Sequence, residues 1–313
     1  MLGGIDTRVK QGHLWQVGLD VPVDQAEEAS RLLSAFFGVP ACIYTAAEAA
    51  TAEVSVYLEE PVGWNDATEK RLRSMLLRRK RKWWQKCLFA RLIKREDWAE
   101  SWKKHFHPLR IGSALLIRPS WSRARPVAGQ KEMILDPGLS FGTGQHPTTW
   151  YCLRQLVSAR RVGRRQAFLD AGTGSGVLAI AAALLGYQPV WAVDYDAVAV
   201  RAARANMRLN KVQERIKLMR GDLTAWPTAG RRRFDVICAN LTADILIQCM
   251  PQLFGRLNPG GKLVVAGILA IQFKEVADCC RDFGLELAHH QTSRGWRSAT
   301  FVLPPAKKFC RKF

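Results

Sequence analysis

Trp15, Val17, Leu19 and Val21 alternate with Gln16, Gly18 and Asp20, the period of a strand buried on one face. Asp24 and Glu27 then form a capping pair for a helix whose Ala29, Leu32, Leu33 and Phe36 share one side and which ends at Gly38. Short strands follow over 41–44 and 53–59, a second helix over 66–81, and a strand over 87–93. The order βαββαβ is the split arrangement of an α+β ferredoxin-like domain. No acid, base or metal-binding constellation is concentrated there, so its expected work is to bind or position a partner.

From residue 167 onward the pattern changes. Ala167-Phe168-Leu169 is a continuous apolar run, and after a glycine-rich turn Val177, Ile180, Ala181 and Leu184 recur at helical spacing. Buried strands are predicted over 190–194, 216–219, 234–239 and 263–266, with a helix over 197–209 whose Val200, Ala203 and Met207 share a face. Two further strand-like runs lie within 285–303, separated by Arg294-Gly295-Trp296. Strands alternating with helices predict an α/β, doubly wound parallel sheet covered on both faces. In such sheets the ligand lies at the carboxyl ends of the strands, where Gly172, Asp194, Asp222 and Asn240 all fall.

The chemistry concentrates at those ends. Asp170-Ala171-Gly172-Thr173-Gly174-Ser175-Gly176 joins a strand to a helix, and its glycines permit a tight turn and the close approach of a ligand. Val177 stands where a dinucleotide fingerprint would have its last glycine, which speaks against a nicotinamide cofactor. Asp194 ends the next strand at the distance of a ribose-binding carboxylate. Asp222 is placed either to accept from an adenine amino group or to close a simple turn.

Residues 135–149 hold three glycines, two prolines and three threonines. They form no regular element, yet they include Leu139 and Phe141, a composition suited to a loop that covers a ligand. Thr149 is expected at the N-terminus of a helix starting near Trp150, where N–H groups and a hydroxyl can meet a carboxylate. A further helix is expected from Asp97 to His107, packed by its aromatic residues. Its His105 and His107 lack partners at metal-ligand spacing.

Charge adds a second theme. The chain carries 47 basic and 27 acidic residues, a net +20. Between Lys70 and Arg110 fifteen Lys or Arg face three acids, Glu96, Asp97 and Glu100, a density suited either to phosphate contacts or to a solvated helix face. Eight cysteines without a C-x-x-C pair, and the lack of a long apolar leader or membrane-length run, lead us to expect a soluble cytoplasmic protein with reduced thiols. The expected organisation is a ferredoxin-like substrate-recognition domain over 1–94, a linker over 95–134, a cofactor-binding domain over 135–304 and a basic tail over 305–313.

These residues resemble the class I S-adenosylmethionine-dependent methyltransferases and, among them, the ribosomal protein L11 methyltransferases. The specific match is the stretch Leu135-Asp136-Pro137-Gly138-Leu139-Ser140-Phe141-Gly142-Thr143-Gly144-Gln145-His146-Pro147-Thr148-Thr149, with support from Phe106-His107-Pro108 and Pro119-Ser120-Trp121. The resemblance extends over residues 14–304. It implies a class I Rossmann-like sheet, S-adenosyl-L-methionine as cofactor, and methyl transfer to lysine ε-amino and/or N-terminal α-amino groups of ribosomal protein L11. Carried over position by position it implies cofactor contacts from Thr149, Gly172, Asp194 and Asn240, to which the glycine turn and the strand ends add Gly174 and Asp222. Asn240 is also the candidate catalytic residue, orienting the acceptor amine. The basic stretch between Lys70 and Arg110 is a candidate ribosomal RNA contact.

Two features depart from the family pattern: Asn-Leu-Thr-Ala replaces Asn-Ile-Leu-Ala at 240–243, and no Glu precedes Gly295-Trp296. The alternatives are an RNA-base methyltransferase, for which Leu241-Thr242-Ala243 offers no aromatic platform, and a non-catalytic ribosome- or RNA-binding assembly factor.

Overall fold

The computed structural model describes residues 13–39, 41–44, 50–59, 64–78, 82–94, 107–136, 146–228 and 232–305. They separate into two compact units divided between Phe106 and His107.

In the first unit, β1 (His13–Pro22), α1 (Ala26–Phe37), β2 (Cys42–Tyr44), β3 (Thr51–Glu59), α2 (Asp66–Arg78) and β4 (Leu88–Lys94) follow one another as the periodicity predicts. The sheet order is β2-β3-β1-β4 with every pair antiparallel, the ferredoxin-like arrangement. Val17, Leu19 and Val21 of β1 meet Leu32 and Leu33 of α1 and Leu72 and Leu76 of α2 in one core. Each fully buried Leu contributes about 1.5–3 kcal/mol. The start of α1 differs from the expected Asp24 cap. A short 3-10 turn, Val23–Gln25, intervenes, and Gln25 takes the cap position without a side-chain bond. Trp84 Nε1 donates to Gln25 Oε1 at 3.0 Å, so tertiary contact has recruited that side chain.

The second unit opens with β5 (Leu109–Ile111), β6 (Leu115–Arg118) and β7 (Lys131–Ile134), a three-stranded sheet within the stretch expected to be a linker. Ile111, Leu115, Ile117 and Met133 enter the main core of this unit, so residues 107–134 belong to it. The intervening basic loop conceals this in the sequence. It is held by Arg118, which donates to Glu132 and to the carbonyls of Pro119 and Ser122, and by Arg110, which donates to Gln130 and to the Arg125 carbonyl. Asn210 clasps β7, donating to the Ile134 carbonyl and accepting its N–H, each at 2.7 Å.

The remaining elements are α3 (Pro147–Ala159), β8 (Phe168–Ala171), α4 (Val177–Leu184), β9 (Val190–Asp194), α5 (Ala197–Leu209), β10 (Ile216–Arg220), β11 (Phe234–Asn240), α6 (Ala243–Phe254), β12 (Leu257–Leu269), α7 (Phe273–Asp282), β13 (Glu286–Ser293) and β14 (Trp296–Val302). The sheet runs β10-β9-β8-β11-β12-β14-β13, with β10 to β12 parallel and β14 antiparallel to both neighbours. This is a doubly wound, Rossmann-like sheet whose order reverses between β8 and β11. Neighbours in the strands serve opposite faces: Phe168, Ala192, Cys238 and Val264 pack with α3, α4 and α5, while Leu169, Val193, Ala239 and Val265 pack with α6 and α7. Both faces are thereby dry.

Gly18 in the central strand of the first sheet offers a direct test. A Cβ there would stand 2.5 Å from Phe89 Cζ and 2.7 Å from the Val54 carbonyl oxygen, because the Phe89 ring covers the bare backbone. We expect Gly18→Ala to destabilise the first unit by about 1–3 kcal/mol. Urea unfolding followed by tryptophan fluorescence should show one transition moving down and the other staying in place.

Candidate active site

The glycine turn after β8 is held by backbone bonds to the end of β9. Gly172 and Thr173 both donate their N–H to the Val193 carbonyl at 2.9 Å, and Gly174 donates to Asp194 Oδ2 at 2.8 Å. Gly172, Gly174 and Gly176 have φ of 77°, 54° and 84°, a left-handed sequence that side chains would strain. A Cβ on Gly172 would meet Leu241 Cδ2 at 2.3 Å, so this glycine also lets the ends of β8 and β11 close on one another. Gly176 leads into α4, all but the last residue of which is buried.

Asp170 is buried at the end of β8. Its Oδ2 accepts from Thr173 Oγ1 at 2.6 Å and from the Ala179 N–H at 3.0 Å, while Oδ1 has no partner among the described residues. Burial pushes its pKa up to about 7, and the nearby Asp194 charge acts in the same direction, against the two hydrogen bonds. Asp194 is only half-buried. Its second oxygen accepts the Asp196 N–H at 3.0 Å, and Asp196 in turn caps α5 through Val198. Asp222 is exposed, and its Oδ1 accepts from both the hydroxyl and the N–H of Thr224, which hold its carboxyl below the usual value. Of the two readings of Asp222, its observed bonds are those of a turn aspartate. Its neighbour Gly221 donates to the Asp194 carbonyl at 2.9 Å, which keeps it on the same rim.

On the other side of the switch point, β11 ends at Asn240. Its Nδ2 lies 3.4 Å from Thr149 Oγ1, and its Oδ1 is buried with no hydrogen-bond partner among the described residues. Thr149 is buried in the first turn of α3, which begins at Pro147, three residues earlier than expected. His146 accounts for the early start: as cap residue its Nδ1 accepts the Thr148 N–H, and Pro147 suits the first helical position. Burial, with the Arg294 charge, pushes the His146 pKa down to about 4, and its ring meets Trp296 edge-on at 5.3 Å. Gly267, at φ 81°, lies beside Asn240. A Cβ there would come 2.6 Å from the Leu241 carbonyl oxygen and 3.1 Å from Asn240 Oδ1.

The carboxyl edge of the sheet thus joins Thr149 to Asn240 and Gly174 to Asp194, with Gly172 between them and Asp222 at the margin. Asp170, His146 and Gly267 were not assigned roles from sequence. Asp170 had a usable signal, since it opens the glycine motif, but the distant partners of His146 and Gly267 had none. The covering loop expected before α3 lies, over 137–145, outside the described residues, as do residues 95–106. Among the described residues no cluster of His, Cys, Asp or Glu could hold a metal, and no helix is long and apolar enough to cross a membrane.

The chain matches the family model for ribosomal protein L11 methyltransferase (PrmA) over residues 19–303. It is 40% identical over 204 residues to a ribosomal protein L11 methyltransferase of Desulfitobacterium hafniense and 41% identical over 206 residues to one of Streptococcus thermophilus. These alignments cover 65% and 66% of this chain but 64% and 63% of the relatives, so the matched stretch spans less than two thirds of their length. A crystal structure of a ribosomal protein L11 methylase from Lactobacillus delbrueckii subsp. bulgaricus superposes with a TM-score of 0.57 at 31% identity, covering 64% of this chain and all of that one. A doubly wound sheet with this glycine turn and a family match over nearly its whole length mean that the chain belongs to the ribosomal protein L11 methyltransferase family.

Proposed function

We propose that this protein is an S-adenosyl-L-methionine-dependent N-methyltransferase that modifies lysine ε-amino and/or N-terminal α-amino groups of ribosomal protein L11. The observation that carries the reading is the unpaired, buried Asn240 Oδ1 at the switch point, an acceptor held ready beside a glycine turn. The site suits the cofactor's chemistry. Asp170 Oδ1 is a second unpaired buried acceptor, fitted to an ammonium group, and Asp194 retains lone pairs for a ribose diol because each oxygen accepts one backbone N–H among the described residues. Thr149, in the first turn of α3, suits a carboxylate. Gly172 and Gly174 bring backbone rather than side chains to the cofactor, and Asp222, at the margin of the same rim, is proposed to meet its adenine.

When bound, the cofactor supplies a methyl group on a sulfonium, open to in-line displacement. The protein's task is therefore alignment. An acceptor lysine must arrive neutral, which costs about 4–5 kcal/mol at pH 7 for an ordinary pKa near 10.4. Asn240 Oδ1 can accept one of the amine's hydrogens and so direct its lone pair, and the Thr149 hydroxyl steadies the amide that does so. Asp244, four residues on, is exposed. The first unit, with its ferredoxin-like sheet, is proposed to hold the protein substrate, and the basic stretch between Lys70 and Arg110 to touch ribosomal RNA. A cytoplasmic location follows from that substrate.

Asn240→Ala is expected to lower kcat by about 10²–10³ with cofactor affinity changed much less. Intact-mass analysis of ribosomal protein L11 after incubation with enzyme and S-adenosyl-L-methionine is the test. Unchanged methyl incorporation at saturating substrate would refute the role, and no incorporation by the unaltered protein would refute the function.

Asp170 yields a pH prediction. Between its ordinary value of 3.8 and about 7 the folded protein keeps a proton that the unfolded chain has released, so stability falls as pH rises through this window. The shift corresponds to on the order of 4 kcal/mol. Without cofactor, Tm should decline from pH 5 to pH 8 more steeply than in Asp170→Asn. Cofactor affinity should rise across pH 7 in the parent, as the carboxylate forms, and stay flat in the variant. Calorimetric melts and titrations over this range check both.

A further inference from the structure

The end of the sheet opposite the candidate site has a chemistry of its own. In a parallel sheet every helix-to-strand connection returns to the amino ends of the strands, so segments remote in sequence share one edge. Three of them carry the charge here. Residues 160–166, before β8, contain Arg160, Arg161, Arg164 and Arg165 and no acid. Residues 208–215, between α5 and β10, contain Arg208, Lys211 and Arg215 against the single acid Glu214, and Arg232 and Arg233 immediately precede β11.

The structure divides these side chains by role. Arg160 donates to the Leu185 carbonyl at 2.9 Å and to that of Gly186 at 3.1 Å, and Arg215 reaches the Ala183 carbonyl. Both therefore sit at the C-terminus of α4, where cations are favoured. Arg233 donates to the Leu257 carbonyl at 2.8 Å. These three hold the connections in place. Arg161, Arg164, Arg165, Arg208, Lys211 and Arg232 are exposed and have no side-chain partner among the described residues. By contrast, Asp194, Asp196, Asp222 and Asp244 lie at the carboxyl ends. The unpaired cations of these three connections thus face away from the site, while Arg220 and Arg294 stand on its side.

We propose that the face formed by the amino ends of the parallel strands binds the phosphate backbone of RNA, leaving the methyl-transfer site open at the opposite end. From β10 to β11 it spans three interstrand spacings, about 14 Å, and duplex nucleic acid presents one charge per about 1.7 Å of axis. Several phosphates can therefore be met together. The cations are nearly all arginine, whose planar fork pairs with phosphate through two hydrogen bonds. A bilayer would require an apolar or aromatic layer beside the charges. These segments contain no aromatic residue, and their exposed large apolar groups are Val162 and Leu209. The inference rests on charge geometry and does not depend on the methyl-transfer reading.

The test is fluorescence anisotropy of the full chain with a labelled RNA hairpin over a salt series. The parent should bind, with affinity falling steeply as salt rises. Arg161→Glu with Arg164→Glu and Arg165→Glu should weaken binding at least about tenfold and reduce the slope of log K against log salt by about 2–3, with Tm and methylation of ribosomal protein L11 unchanged. The milder pair Arg208→Gln and Lys211→Gln should act in the same direction and guards against misfolding of the triple variant. RNA binding retained in both variants would overturn the proposal. So would a loss confined to Lys70→Glu with Arg71→Glu and Arg78→Glu in the first unit, or tighter binding to phosphatidylserine vesicles than to RNA.

Discussion

One backbone oxygen governs the geometry of the candidate site. The Val193 carbonyl accepts from both Gly172 and Thr173, and the next residue, Asp194, accepts from Gly174 with its side chain. Those bonds require the chain to turn through positive φ at alternate residues, which glycine alone does without strain. Once the turn is made, α4 starts where it must to bury its apolar side on β8, and Asp170 is enclosed beneath the turn. In so dry a core a buried carboxyl with one oxygen unpaired is costly, and the hydrogen bonds from Thr173 and Ala179 to its other oxygen offset part of that cost.

The same switch point explains why Asn240 is left with an unpaired oxygen. Strands β8 and β11 are neighbours in the sheet but are separated in the chain by β9 and β10, so their connections leave on opposite faces and a crevice opens between them. Leu241 fills the space that a side chain on Gly172 would occupy, and Gly267 leaves room for the Asn240 amide. At Gly267 the nearest atoms are the Leu241 backbone, so the acceptor is positioned there by backbone packing, which is stiffer than a side-chain network would be.

Parallel strands also sort charge. Arginines of three connections gather where the parallel strands begin, three of them donating to carbonyls of the connections themselves, while Asp194, Asp196, Asp222 and Asp244 lie where strands end. Such a distribution orients the unit in the field of a polyanion before any specific contact forms.

Much of this was legible in the residues. Alternation at β1 and β3, helical spacing in α1 and α5 and the strand-glycine-helix signature at Asp170 are local patterns, set by whether neighbours three, four or two positions away share a face. Both fold types and the positions of Gly172, Asp194 and Asn240 follow from them. What the sequence could not disclose was every feature that depends on partners far along the chain. Leu115-Leu116-Ile117 is a legible apolar run, but its pairing with β5 and β7 and its place in the second core depend on partners elsewhere in the chain. The Trp84 bond that moves the start of α1 was likewise decided in three dimensions, whereas the His146 cap and the Asp222 turn are local, each closed on a residue two positions on. Local sequence determines which way a side chain faces; only the tertiary structure determines what it finds there, because hydrogen bonds and burial are settled by the groups that the topology brings within a few ångströms.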